Sequence, residues 1–129
     1  MTMTQLIYTS QPFGFDDAIL NGILVSARRN NPKSDITGCL ICRNDMYLQL
    51  LEGPDAAIHD LYARLAVDNR HLAMQRLSIA SVDERMFPDW AMRDDPAQSW
   101  LWPPEAVAGG ALSQASPQAL RAVFARVAA

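Results

Sequence analysis

The spacing of apolar residues along the chain predicts strands and helices in the order βαββαβ. The predicted strands are short apolar stretches bounded by turn-forming residues: QLIYTS, ITGCLICR, MYLQLLE and QRLSIASVD. Between them lie two segments in which apolar residues recur on one helical face, Ile19, Leu20, Ile23, Leu24 and Ala27 in the first and Ala57, Ile58, Leu61, Tyr62 and Leu65 in the second. Both segments are therefore predicted to be amphipathic helices.

Charged and turn-forming residues mark the ends of the first helix. The pair Asp16-Asp17 falls in the first turn, where the helix dipole favours negative charge, and the pair Arg28-Arg29 falls in the last turn. The tripeptide Asn30-Asn31-Pro32 follows and is expected to end the helix, because a proline cannot continue it.

The βαββαβ order predicts an α+β, ferredoxin-like fold. Right-handed crossovers place both helices on one face of a four-stranded sheet, with the first and third strands side by side in its centre. Tyr8 has the parity of Leu6 on the first strand, and Gln49 has the parity of Leu51 on the third. We therefore expect Tyr8 and Gln49 to meet beneath the helices.

Gln49 interrupts a strand that is apolar on both sides. Met46, Leu48 and Leu50 share one parity and Tyr47 and Leu51 share the other, as is typical of a central strand covered on both faces. An amide buried without a partner costs roughly 1–3 kcal/mol. The sequence therefore predicts that some group is hydrogen-bonded to Gln49.

The chain beyond RMFPDWAM has a different character. WLWPPEAVAGG predicts a connector with one short helix starting near Pro103, and SPQALRAVFARVAA predicts a final helix. Ser116 is placed as its N-cap and Pro117 at its first position. Its apolar stripe consists of Leu120, Val123, Phe124 and Val127. This stripe must pack against the chain's own sheet or against another subunit.

Charge and hydropathy argue against two classes of partner. The 129 residues carry eleven basic and fourteen acidic side chains, a net charge of −3, which argues against nonspecific binding of nucleic acid. No apolar run approaches the roughly 18–20 residues that cross a membrane, and MTMTQLIYTS lacks a basic leader followed by an apolar block. We expect a cytoplasmic protein that binds neither nucleic acid nor a membrane.

Cys39 and Cys42 form a CxxC pair, but their context does not favour a metal or redox site. They lie on a predicted strand, where this spacing puts the side chains on opposite faces. His59 and His71 stand alone in the sequence, so no second pair of ligands completes a metal site. We interpret both cysteines as core thiols and expect no metal.

Five motifs taken together resemble one known family. LIYTS, RRNNPKSDITGCL, LQLLEG, DNRH and RMFPDWAM, in this order and at these separations, look like the BLUF family of blue-light photoreceptors that use flavin. The resemblance covers residues 5 to 93 and is specific, because a tyrosine, an asparagine before ITG, a glutamine before LEG and a Trp-x-Met pair occur together. The chain resembles a short, stand-alone member of the family.

The resemblance implies a photochemical pair and a route for the signal. It makes Tyr8 the donor of an electron and a proton to the excited flavin and Gln49 the amide that links this tyrosine to the ring. It places Asn31 at the pyrimidine edge of the ring, and Trp90 and Met92 in a fifth, short strand that carries the signal to the tail. An amide suits a switch because rotation or tautomerisation changes which group it offers.

The resemblance also implies the cofactor, FAD or FMN, bound between the two helices. Further candidate contacts to it are Ile23 and Asn30 on the first helix and Asp68, Arg70 and His71 in the loop after the second helix. The nearby Arg28 is interpreted as a solvated charge in the last turn rather than as a ligand of the cofactor's phosphate.

The expected function is blue-light sensing without enzymatic activity. Residues 1–95 would form the flavin-binding sensor domain and residues 96–129 a C-terminal helical extension that packs on the sheet. The signal would pass to a separate effector protein, and surplus apolar surface on the tail would join subunits into a homo-oligomer, a dimer or larger.

The alternative is a light-insensitive regulatory dimerisation domain. An acylphosphatase-type enzyme would need a glycine-rich loop with an arginine after the first strand, where TSQPFGFDD is acidic.

Overall fold

The computed structural model describes residues 3–12, 17–43, 45–67, 71–88, 92–96 and 101–128. Its strands are β1 Met3–Pro12, β2 Thr37–Arg43, β3 Met46–Gly53, β4 His71–Val82 and β5 Arg93–Pro96. Its helices are α1 Asp17–Asn30, α2 Asp55–Ala66, α3 Pro104–Ala108, α4 Ala111–Gln114 and α5 Pro117–Ala128, and a 3-10 turn covers Asn31–Ser34. Within the described ranges the order of elements is that of the predicted α+β fold with a short fifth strand and C-terminal helices.

The strands form one sheet in the order β4-β1-β3-β2-β5. β1 lies between β3 and β4, and all three pairings among β1 to β4 are antiparallel, whereas β5 runs parallel to β2. The first and third strands are therefore central neighbours, as the ferredoxin-like prediction requires. The fifth strand begins one residue after Met92, so Met92 leads into this strand instead of lying within it.

Each face of the sheet carries its own apolar cluster. The helix-face cluster, formed with α1 and α2, contains Leu6, Tyr8, Ile23, Leu24, Ile36, Leu40, Tyr47, Leu51, Ile58 and Met92. The tail-face cluster, formed with the C-terminal helices, contains Ile7, Cys39, Ile41, Met46, Leu48, Leu50, Phe87, Leu101, Leu112, Leu120, Val123, Phe124 and Val127. The strict alternation along β1 and β3 separates the two sets.

The apolar stripe of α5 is buried in the tail-face cluster, so the chain's own sheet covers it. The helix starts as predicted, because the Ser116 hydroxyl accepts a hydrogen bond from the backbone N–H of Ala119 at 3.1 Å and Pro117 occupies the first position. Arg43 at the end of β2 donates to the carbonyl of Trp102 at 2.7 Å, which fixes the connector to the sheet. The division into domains at residue 95 stays a prediction.

The two cysteines lie on opposite faces of the sheet, as predicted. Cys39 is buried in the tail-face cluster, and Cys42 packs partly buried against the helix-face cluster. Among the residues that the structure describes, no group of three or more His, Cys, Asp or Glu side chains could hold a metal ion. In the same part of the chain, no helix is both long and apolar enough to cross a membrane.

The outer strand β4 differs most from the prediction. His71, expected in a loop, is instead the first residue of this strand. β1 runs on to Pro12, and its last residues pair with the start of β4, Gln11 with Leu72 and Pro12 with His71. The stretch HLAM that extends the strand is mostly apolar but does not continue the alternation of Leu77 and Ile79, so the pattern did not mark it as part of the same strand.

The glycines of the ITG and LEG motifs allow close packing of the backbone. A Cβ on Gly38 would collide with the backbone carbonyl oxygen of Leu50 on β3, and a Cβ on Gly53 would lie 2.8 Å from the carbonyl oxygen of Asp35. Neither backbone atom can move aside as a flexible side chain would. Both glycines therefore keep β2 and β3 in register beside the functional site.

Glu52 anchors the segment that follows β4. Its carboxylate is fully buried and accepts hydrogen bonds from the backbone N–H of Met86 at 2.8 Å and of Phe87 at 2.9 Å, and from Nε2 of Gln5 at 3.2 Å. Arg85 donates to the Glu52 carbonyl at 3.1 Å. These bonds hold Phe87 in the tail-face cluster, where its ring meets that of Phe124 edge-on at 6.4 Å.

Candidate functional site

A cavity of about 190 Å³ opens between α1 and α2, on the helix side of the sheet. The first helix and the turn after it contribute one wall, the second helix contributes the other, and Gln49 of β3 contributes the floor. The lining residues are Ile23, Ser26, Ala27, Asn30, Asn31, Gln49, Leu61, Arg64 and Leu65. The cavity is therefore lined by apolar side chains together with three amides, one hydroxyl and one guanidinium.

Tyr8 and Gln49 are brought together by strand register. They are directly paired partners across β1 and β3, and both belong to the face that carries α1 and α2. Residues opposite each other in an antiparallel pair have their Cβ atoms about 4.5–5.5 Å apart. Tyr8 is fully buried, and its ring packs edge-on against Tyr62 of α2 with centroids 5.8 Å apart. The sequence argument therefore placed the pair on the correct face.

The Gln49 side chain is 3% exposed, and its amide has two different ends. Nε2 donates a hydrogen bond to the Met92 sulfur at 3.2 Å. Oε1 is buried and meets no hydrogen-bond donor among the residues the structure describes. Because a buried carbonyl without a donor costs about 1–3 kcal/mol, this oxygen marks a position where a bound group with an N–H would be stabilising.

The asparagines at the end of α1 take different positions. Asn31 is buried and begins the 3-10 turn, and its backbone carbonyl accepts from Ile36 N at 2.9 Å. The turn closes at Asp35, whose φ of 58° lies in the left-handed region that aspartate tolerates better than most residues. Asn30 is exposed but also lines the cavity. The Asn-Pro break thus places two amides at the mouth and wall of the cavity.

Two arginines differ from the sequence interpretation. Arg28 is exposed, yet its Nε donates to the Met92 carbonyl at 3.2 Å, so it is not simply a solvated charge. Arg64, which sequence reasoning missed, lines the cavity from the last turn of α2. The sequence pattern could have identified Arg64, because this residue lies three positions after Leu61 and so continues the inward face of the helix.

Some predicted site residues lie outside the described part of the chain. Asp68, Arg70 and Trp90 fall in segments that the structure does not describe, and for His71 only the backbone is described. Their contacts to a cofactor stay predictions. Ile23, Asn30, Asn31 and Gln49 do line the same cavity, and Met92 contacts Gln49 directly.

The donor set suits a flat, largely apolar ring with polar edges. Ile23, Leu61 and Leu65 offer apolar walls, and the amides of Asn31 and Gln49 offer hydrogen bonds without charge. Arg64 adds a cation at the rim. A flavin ring has this combination of an apolar body and N–H and carbonyl edges, so the residues present fit it.

Comparison with known proteins identifies relatives of the chain. Residues 3–93 match the family model described as "BLUF: Sensors of blue-light using FAD". Photoactivated adenylate cyclase subunit beta from Euglena gracilis is 37% identical over 95 residues, 70% of this chain and 11% of that protein. The blue light- and temperature-regulated antirepressor BluF of Escherichia coli K12 is 31% identical over 87 residues, 66% of this chain and 21% of that protein.

Solved structures agree on the fold. BlrB, a BLUF protein in its dark state, superposes with a TM-score of 0.80 over 98% of this chain and 95% of its own, at 24% identity. A bacterial light-regulated adenylyl cyclase superposes with a TM-score of 0.70 at 28% identity, over 94% of this chain and 36% of its own. The chain spans 11% or 12% of the length of the first curated relatives, all photoactivated cyclase subunits or proteins like them.

Proposed function

Because the chain belongs to the BLUF family of blue-light sensors that use FAD, we propose that it senses blue light through a flavin bound in the cavity between α1 and α2. The observation that carries the proposal is the buried Gln49 amide, which lies opposite Tyr8, donates to Met92 through one end and has a second buried end without a donor among the described residues. The family match disfavours the alternative of a light-insensitive dimerisation domain.

The residues of the site would hold the ring by shape and by neutral hydrogen bonds. Asn31 and Gln49 would bind its polar edges, Ile23 and Leu65 would cover its faces, and Arg64 would face a negative group at the rim. The flavin supplies absorption of blue light and an excited state that accepts an electron. Tyr8 would donate an electron and its phenolic proton together to the excited flavin, and both would return to Tyr8 once the amide has rotated.

Gln49 would convert this transient event into a lasting change. Rotation of its amide exchanges the positions of Nε2 and Oε1, so the carbonyl would face the Met92 sulfur and the N–H groups would face the cavity. Gln49 would then offer the ring a donor where it had offered an acceptor, and a changed hydrogen bond to a chromophore shifts its absorption. No charge is created, so the switched state can exist in a buried site.

The proposed output route runs along the chain from Met92 to Phe87. Met92 belongs to the helix-face cluster and Phe87 to the tail-face cluster, although the two residues are only five positions apart. Phe87 in turn packs on Phe124 of α5. Repulsion between Met92 and the rotated Gln49 amide would therefore act on a segment whose other end contacts the C-terminal helices through Phe87.

The proposed receiver of the signal is a separate effector protein. Relatives of this chain include photoactivated adenylate cyclases and a blue-light-regulated antirepressor, which indicates that BLUF sensors act on diverse outputs. Association of the chain into a homo-oligomer stays a proposal, and the exposed apolar surface expected on the tail does not support it. The large apolar residues exposed in the described part of the chain are Val25, Val67 and Ile79, and none of them lies in the tail.

An absorption spectrum of the purified protein tests the proposal. We expect bound oxidised flavin whose spectrum shifts to the red under blue light and returns in the dark. Gln49→Leu removes both polar ends of the amide at nearly constant volume, and Tyr8→Phe removes one hydroxyl, so each variant should bind flavin and lose the shift. Tyr62→Phe is the matched control, since it removes a neighbouring hydroxyl from the ring that packs on Tyr8.

Two results would contradict this function: a protein that cannot be loaded with flavin, and a bound flavin that only bleaches in the light. A normal red shift in Gln49→Leu or Tyr8→Phe would leave the function intact and reject only the roles assigned to the two residues.

A further inference from the structure

We propose that Arg28 is a positioning residue that holds Met92 against the Gln49 amide and thereby shortens the lifetime of the light-adapted state. The inference rests on the proposed function, because it concerns the return of Gln49 after light. It concerns a side chain that neither lines the cavity nor contacts Gln49 in the structure.

Two hydrogen bonds hold Met92, one through its side chain and one through its backbone. Its sulfur accepts from Gln49 Nε2 at 3.2 Å, and its backbone carbonyl accepts from Arg28 Nε at 3.2 Å. Met92 is almost fully buried and directly precedes β5. The bond from Arg28 therefore ties Met92 to the last turn of α1.

The same turn of α1 builds the cavity. Ala27 and Asn30, which flank Arg28 and Arg29 in sequence, line the cavity, and Arg28 reaches away from them to Met92. One rigid helix end thus fixes both the wall of the flavin site and the sulfur that contacts the switch. The distance between sulfur and amide is set by α1 and not by the short β5 strand alone.

The contacts of the Met92 sulfur with the two ends of the Gln49 amide determine whether Arg28 speeds or slows dark recovery. In the structure the sulfur, a weak acceptor, faces an N–H donor. After rotation of the amide the sulfur would face Oε1, and two acceptors in contact repel each other. A Met92 held in place thus raises the free energy of the rotated state. Midway through rotation neither end of the amide faces the sulfur, so the barrier itself changes little.

Loss of the Arg28 bond would let Met92 withdraw from the rotated amide. The light-adapted state would become more stable, and its return in the dark would slow. Arg28 is exposed, so its hydrogen bond is partly replaced by water and the effect is modest. We expect recovery to slow by about two- to fivefold, the range that a partly exposed hydrogen bond produces.

The test compares dark-recovery rates of the flavin-loaded full chain after a blue-light pulse. R28M replaces Nε with a carbon at the same position in the side chain and should slow recovery. R28Q places an amide nitrogen at that position without the charge, and it should recover at nearly the wild-type rate. R29M removes the neighbouring charge and should leave the rate unchanged, since Arg29 donates no hydrogen bond within the described part of the chain.

A double-variant cycle separates positioning from a general loosening of α1. M92L removes the sulfur acceptor, so adding R28M to M92L should change the recovery rate by much less than R28M changes it in the wild-type background. Equal effects in the two backgrounds would overturn the proposal. So would a wild-type rate in R28M, or slow recovery in both R28M and R28Q, which would indicate a role of charge instead.

The outcome is distinguishable from failure of the proposed function. If the wild-type chain shows no reversible red shift, the photoreceptor function itself is wrong. If the wild-type chain shows the shift and R28M recovers at the same rate, only the role of Arg28 is wrong.

Discussion

Replacing Glu52 should cost more stability than replacing any other acidic residue in the described part of the chain. Its carboxylate is fully buried at the end of β3, between Gln5 of β1 and the backbone of Met86 and Phe87. These donors are buried or partly buried with it. Glu52→Ala would leave three donor groups without their acceptor and would also create a cavity.

The expected loss of stability is the balance between the hydrogen bonds that Glu52 accepts and the cost of burying its carboxylate. A hydrogen bond to a charged group contributes about 1.5–3 kcal/mol, but burial of the carboxylate itself is unfavourable and offsets part of the sum. For Glu52→Ala we expect a loss of about 3–5 kcal/mol, as when one partner of a buried charged network is removed. Glu52→Gln keeps a carbonyl for the backbone N–H groups but turns an NH2 group toward Gln5, so about 1–2 kcal/mol is expected.

Urea denaturation in the dark, with flavin in excess, measures this prediction as a shift in the midpoint at constant m-value. The control is Glu84→Ala, an exposed acid in the segment after β4, which should change the stability by less than about 0.5 kcal/mol. If Glu52→Ala were too unstable to purify, the smaller loss in Glu52→Gln would still be measurable. A loss below about 1 kcal/mol in Glu52→Ala would refute the reasoning.

The remaining predictions concern packing around the sheet. Phe124→Ala should lose about 3–5 kcal/mol by denaturation, because the ring is fully buried against Phe87, whereas the exposed Gln118→Ala should not. Gly38→Ala should lower the melting temperature and weaken flavin retention on gel filtration, because the added Cβ forces β2 away from the Leu50 carbonyl; an unchanged protein would contradict the close packing. A chain ending near residue 100 should aggregate in light-scattering measurements, because the tail-face cluster loses its cover; a soluble, stable fragment would show that the tail is dispensable.

The register at the centre of the sheet was predictable because it depends on local patterns. Alternation along β1 and β3 assigns each residue to a face, and the crossover rule makes the two strands neighbours. Tyr8 and Gln49 are accordingly paired partners beneath α1 and α2. The sequence also predicted that the C-terminal extension packs on the sheet, and the stripe of α5 is buried in the tail-face cluster.

Contacts between residues far apart in sequence were not predictable in the same way. Arg28 bonds a carbonyl 64 positions away, and no periodicity in α1 distinguishes this arginine from Arg29. Likewise, Trp90 and Met92 share a parity, so the sequence left open which of them lies next to Gln49. The contact of Met92 with Gln49 joins residues 43 positions apart and is set by tertiary packing.

The two buried polar residues of β3 each bond a part of the chain that lies between β4 and β5. Gln49 faces the helices and Glu52, three residues later, faces the tail, so the strand presents one polar anchor on each side. The segment after β4 meets Glu52 through Met86 and Phe87 and then meets Gln49 through Met92. The Glu52 anchor is a fixed carboxylate with no alternative orientation, whereas the Gln49 anchor is an amide that can reverse its polarity. A change at Gln49 would therefore act on the Met92 end of the segment, and Phe87, near its other end, is the residue that contacts α5.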